Sequence, residues 1–239
     1  MNALQKQQRI ERAKRHAAQD RLISGHYVDV SGDEWKGCSV GCDLVDIKLQ
    51  QGVDPQDVSS GGCHAFVAEH DGTAEWIEGL RDDIFEGLPK CDRSWWHVAL
   101  AKALPVDEKR ISRFGTADWK PYFHAVSIAI LERVLLNKAS WTDPYAEQAE
   151  SIVLLAIDYH KEPSEEKRLA VISAAESAKP AHSVSSYYAA KSAHNSVGSA
   201  ESTVYYAVDS ARAGYSYDDD DDGEYKAFAE EVIRVMEAK

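Results

Sequence analysis

Positive charge is what this sequence has least of for its size. Its 239 residues carry 27 Lys and Arg against 40 Asp and Glu, a formal net charge of −13. Phosphate neutralisation needs cations in excess, so a nucleic-acid-binding surface spread over the whole chain is excluded. Long apolar runs are missing too, and none approaches the ~20 residues that span a bilayer. The stretch from Met1 to Leu22 has no apolar core of the kind that marks a secretory signal. The expectation is a cytoplasmic protein with no membrane partner. Cysteine is scarce. Cys38, Cys42, Cys63 and Cys91 are then expected as reduced thiols or metal ligands rather than a disulfide framework. There is no P-loop, no G-x-G-x-x-G, no H-E-x-x-H and no G-x-S-x-G. Apolar residues are not lacking. At 44% they exclude a disordered chain, and a chain of this length buries a core without staples.

The charge is uneven. Residues 1–24 carry a balance of +4 and the remainder −17. A basic N-terminal helix on an acidic body reads as a helix docking back on its own domain, or as a local contact for nucleic acid through residues 1–24 alone. Residues 25–62 hold many glycines and no clean period, which predicts an irregular Gly/Cys-rich segment with a small hairpin possible near His26–Val30. From residue 63 the pattern is helical. Trp76, Ile77, Leu80 and Ile84 share a face, and Gly87-Leu88-Pro89 ends the run. Further helices are predicted after Ser94, over Tyr122–Leu136, after Pro144 with Ile152, Leu155, Ala156 and Tyr159 on one face, over Ser164–Ala178, and from Glu224 to Glu237. The fold expected is mainly α, with residues 25–239 forming one multi-helix domain whose part from 164 to 239 is rich in Ala, Ser and Tyr.

One repeat stands in that last part. Tyr187-Tyr188-Ala189-Ala190-Lys191-Ser192-Ala193 recurs 18 residues later as Tyr205-Tyr206-Ala207-Val208-Asp209-Ser210-Ala211. Eighteen residues are five helical turns. The repeat reads as a small-residue packing face, internal or against a second copy, or as a binding ladder of Tyr187, Tyr188, Tyr205 and Tyr206.

The most distinctive motif is Lys36-Gly37-Cys38-Ser39-Val40-Gly41-Cys42, followed by Cys63-His64. Three readings stand. Cys38, Cys42, Cys63 and His64 are the right residue types for zinc, although adjacent Cys63 and His64 are poorly spaced for one metal. Cys38 or Cys42 at a Gly-rich helix start is also placed as a nucleophile, with His64 as base and Glu69 to orient it. The third reading makes the cysteines small apolar core residues in a tight turn. Asp218, Asp220 and Asp222 before Gly223 match the first half of a calcium loop, but position 12 is Ala229, so a solvated acidic loop competes with a loose Ca²⁺ site. No cofactor is required by any motif, with zinc or calcium the two that the residues allow.

The Gly-Cys-Ser-Val-Gly-Cys segment, the downstream His64, the run Ile84-Phe85-Glu86-Gly87-Leu88-Pro89 and the Ser/Ala/Tyr-rich tail resemble a family of uncharacterised proteins encoded by phages and bacterial mobile elements. The likeness covers residues 26–105 in motif and 165–239 in composition. It implies an accessory protein of such an element. The function expected is therefore non-enzymatic binding of a host macromolecule or signalling ligand, of counter-defence type, with a basic or nucleic-acid-binding host protein as partner. A small cysteine-dependent hydrolase or transferase, or a structural zinc-containing interaction module, are the alternatives.

Overall fold

The chain begins with a helix that caps itself. Asn2 accepts from the Gln5 amide at 2.8 Å and the Gln5 side chain accepts from the Asn2 amide at 2.9 Å, a reciprocal box that starts α1 (Ala3–Ala18). The computed structural model describes residues 1–31, 34–59, 61–106, 119–141, 144–178, 185–197, 207 and 223–238. Among them the fold is mainly α, with one two-stranded antiparallel sheet. They divide into two compact units, 1–120 with 236–239, and 121–235.

In the first unit, α1 is followed by β1 (Asp29–Ser31) and β2 (Glu34–Lys36), paired Val30 to Trp35. Then come α2 (Ser39–Gln50), α3 (Cys63–Asp71), α4 (Glu75–Gly87) and α5 (Lys90–Ala103). Helix α1 packs on α5, α2 and α3, and α2 packs on α3 and α4. The predicted helix face on α4 is present, with Ile77, Leu80 and Ile84 buried. Two expectations need correction. Helix α1 ends at Ala18, short of the basic N-terminal helix expected over residues 1–24. The stretch read as irregular also contains α2, a twelve-residue helix. Its residues from Ser39 to Val45 are all buried, so it has no polar face and hence no amphipathic period to be seen in the sequence.

The second unit holds α6 (Lys120–Leu136), α7 (Ala146–Lys161), α8 (Glu165–Ser177), α9 (Ser185–Ser196) and α10 (Gly223–Glu237). Ser164 caps α8 by accepting the Lys167 amide at 3.2 Å, as its position predicts. Helices α7, α8 and α9 pack on one another. On α7 the buried side is Ala149, Ile152, Val153, Ala156, Ile157 and His160, while Leu155, expected inside, is 41% exposed. No helix among the described residues is long and apolar enough to cross a membrane.

Candidate functional site

The Gly-Cys-x-x-Gly-Cys motif wraps around one atom, the backbone carbonyl oxygen of Tyr27. A Cβ at Gly37 would lie 2.2 Å from it and one at Gly41 only 1.6 Å. No side chain fits at either position, which is the physical reason for both glycines. The segment before Tyr27 is laid along the motif by backbone bonds. Gly37 donates to Arg21, Ile23 to Gly37, and Cys38 to His26 at 2.8 Å.

This clamp sends the two cysteines of the motif in different directions. Cys38 is the N-cap of α2, and its Sγ accepts the Gly41 amide at 3.3 Å. Its other neighbours are Asp82 and Glu86, one turn apart on α4, and one donor atom from each of the three residues lies within 4.8 Å of the others. Cys42 turns to backbone, donating to the carbonyls of Gly37 and Arg21 at 3.4 and 3.5 Å. Cys63, at the start of α3, is buried, and His64 Nε2 lies 3.4 Å from Asp82 Oδ2. The His64 ring also faces Tyr27, with centroids 6.0 Å apart. Glu86 accepts the Gly25 amide at 2.6 Å. Glu69 is exposed on α3.

The structure therefore assembles Cys38, His64 and Cys63 around Asp82, and leaves Cys42 and Glu69 out. The expected zinc set of Cys38, Cys42, Cys63 and His64 is not a convergent group, because Cys42 is committed to carbonyls. Sequence reading missed Asp82 and Glu86. The available signal was their spacing of four on a predicted helix.

Electrostatically the site is crowded with acids. Burial, and then the Asp82 charge, push the Cys38 thiol up, and the same two causes raise Cys63. Burial and the Asp43 charge raise Cys42. Burial also raises Glu86, with Asp82 adding to it. These thiols are protonated at neutral pH, the opposite of what an activated cysteine nucleophile needs. Asp82 Oδ1 is buried and has no hydrogen-bond partner.

A second group of possible metal-binding atoms, His16, Asp43 and His97, lies wholly inside the first unit. Its carboxylate is already engaged. Asp43 accepts from Arg12 at 3.0 Å and from Arg81 at 2.6 Å. Arg9 spans Glu78 at 2.7 Å and Asp71 at 3.2 Å, and Arg12 also reaches Asp71 at 2.5 Å. The basic face of α1 is thus used internally, and its Arg9, Arg12 and His16 are buried.

In the second unit, Tyr187 lines a cleft of about 280 Å³ with Glu176, Lys191 and His194, and Tyr188 stands edge-on to Tyr187. Tyr205, Tyr206, Asp218, Asp220 and Asp222 fall outside the described residues. Elsewhere in this unit His160 bonds His124 at 2.9 Å and Ser196 at 3.0 Å, packed against Phe123 and Tyr159. No family model, curated protein or solved structure matches the chain.

Proposed function

We propose that the protein acts by binding a basic macromolecule of a host cell, as an accessory protein of a phage or mobile element, rather than by thiol catalysis. The observation that carries this is the outer surface of α7 and α8. Leu154, Leu155 and Leu169 are 49%, 41% and 52% exposed. Within one helical turn of them stand Glu150, Asp158, Glu165 and Glu166. Two of the cations of α8 are already paired, Lys138 holds Glu150, and Lys161 stands exposed at the end of α7. Lys167 holds Asp158 and Glu162, and Arg168 holds Glu165. Exposed leucines set among carboxylates fit a basic amphipathic helix, whose cations steer the encounter and whose apolar stripe covers the leucines. The cytoplasmic setting belongs to the same reading. A thiol enzyme is the weaker one, since burial and Asp82 keep Cys38 protonated.

A pull-down from host lysate tests it, using the wild-type chain and a Leu154→Ser/Leu155→Ser/Leu169→Ser variant. The expected result is a basic protein retained at low salt, released at moderate salt and absent with the variant. Recovery of nothing above background, or of the same proteins with the variant, overturns the reading.

A further inference from the structure

We propose that Cys38, Asp82 and Glu86 form a binding site for a zinc-type divalent cation, with three protein ligands and one position open to solvent. The donors come from two elements held at fixed positions. The Tyr27 clamp on Gly37 and Gly41 fixes the start of α2 and so Cys38. Asp82 and Glu86 share one face of α4. One donor atom from each lies within 4.8 Å of the other two. A zinc ion bound at ~2.0–2.3 Å from each donor allows separations of up to about 4.6 Å, so small side-chain adjustments close the site. Glu86 is the exposed member, with its Oε2 held by the Gly25 amide at 2.6 Å.

Two further observations point to a cation. The Asp82 side chain is only 9% exposed, and its Oδ1 has no hydrogen-bond partner, a costly arrangement for a carboxylate. Its Oδ2 is held by His64 at 3.4 Å, which makes His64 a positioning residue that orients the carboxylate. Donor chemistry selects the metal. A thiolate with two carboxylates suits zinc, whereas calcium and magnesium take oxygen ligands alone. Three protein ligands with an exposed side leave the fourth position to water, as in zinc sites that bind or activate a further group.

The test is metal stoichiometry. Protein stripped with chelator is dialysed against limiting Zn²⁺, and metal is counted by mass spectrometry. Parallel samples take Co²⁺, whose visible spectrum reports tetrahedral geometry and thiolate ligation. The expected result is one Zn²⁺ per chain and a cobalt spectrum with a thiolate charge-transfer band. Glu86→Gln and Asp82→Asn abolish stoichiometric binding, Cys38→Ser removes the charge-transfer band, and Cys91→Ser, at an exposed thiol, changes nothing. His64→Gln weakens affinity about 10–100-fold while keeping the tetrahedral spectrum. Because Glu86 is exposed, Glu86→Gln keeps the fold, and far-UV circular dichroism verifies it. Absence of stoichiometric metal in the wild type overturns the proposal, as does binding that survives Glu86→Gln in the folded protein.

Discussion

The first unit, besides surface pairs such as Lys14–Glu11 and Lys36–Asp20, holds a buried ion-pair network that the described residues of the second do not. In the first, Arg9, Arg12 and Arg81 meet Asp43, Asp71 and Glu78 with every side chain at most 4% exposed. In the second, Lys167, Arg168 and Arg234 pair with carboxylates on the helix surfaces. A buried pair has given up water, so loss of one partner strands the other charge. An exposed pair exchanges freely with solvent and contributes little. The first unit therefore uses its charges to fix the register of α1 against α2, α3 and α4. The second leaves its charges on the surface, where another molecule can use them. Among its described residues, what the second unit buries is apolar or neutral: Val171, Ala189, Ala193, and His160 with Ser196, beside half-buried His124.

Removing Asp43 gives the largest effect this comparison predicts. Asp43→Ala leaves Arg12 and Arg81 without their shared carboxylate, and a broken buried pair costs about 3–5 kcal/mol. Urea denaturation measures it. A shift below ~1 kcal/mol would mean that water reaches the network and that the contrast between the units is false.

Acid separates the units next. In the first, burial alone would raise Glu78, but Arg81 and then Arg9 overcome it and bring the carboxyl to about 2. Asp43 is likewise held well below the usual range by Arg12 and Arg81, against its burial. With folded values below unfolded ones, this stability is complete above about pH 4.5 and is lost as pH falls toward 2, on the order of 3 kcal/mol for Glu78. In the second unit, burial and then His124 lower His160 to about 3. The unfolded chain takes up that proton near pH 6.5 and the folded one does not, so stability declines from about pH 6.5 down to 3. His97 in the first unit has the same sign, because burial holds it well below its ordinary value. Variants separate these contributions. Melting temperature against pH is expected to flatten between 6.5 and 4.5 in His160→Asn, and below 4.5 in Glu78→Gln. Unchanged slopes would show that neither group carries the pH dependence.

A steric fault asks whether charge alone holds the first unit together. Gly41→Ala drives a methyl into the Tyr27 carbonyl, and overpacking of this kind costs about 1–3 kcal/mol. Gly25→Ala, where nothing lies within 4 Å and only the positive φ of 81° opposes the change, is expected to cost about 1 kcal/mol or less. Equal losses on denaturation would mean that the clamp on Tyr27 yields.

Most of the fold was legible because most helices have one wet face. The faces of α4 and α10, the proline in the first turn of α6 and the Ser164 cap of α8 all follow from local pattern. Helix α2 was not legible, since burial all round erases the period that betrays a helix. The charge of α1 suggested a helix docking back on its own domain, but not which acids receive it, because the partners of Arg9 and Arg12 lie far along the chain on α2, α3 and α4. The site was half legible for the same reason. Cys38 and His64 stand out by residue type, but Asp82 comes from another helix 44 residues after Cys38, and spacing says nothing across that separation.

The smallest effect tests the other side of the comparison. Lys167 reaches both Asp158 and Glu162, at 3.0 and 2.9 Å, yet those carboxylates are 59% and 86% exposed. Water replaces the ammonium when the side chain is removed, so Lys167→Ala should leave the melting temperature unchanged within error. It should still alter binding. Freeing Asp158 and Glu162 deepens the negative field beside Leu154 and Leu155, so a basic partner should associate faster at low salt, with the gain vanishing as ionic strength rises. Stopped-flow association across a salt series reads this directly. A variant that destabilises the protein would place Lys167 among structural pairs of the kind found in the first unit. One that leaves both stability and association rate unchanged would show that the α7–α8 surface is not where a basic partner docks.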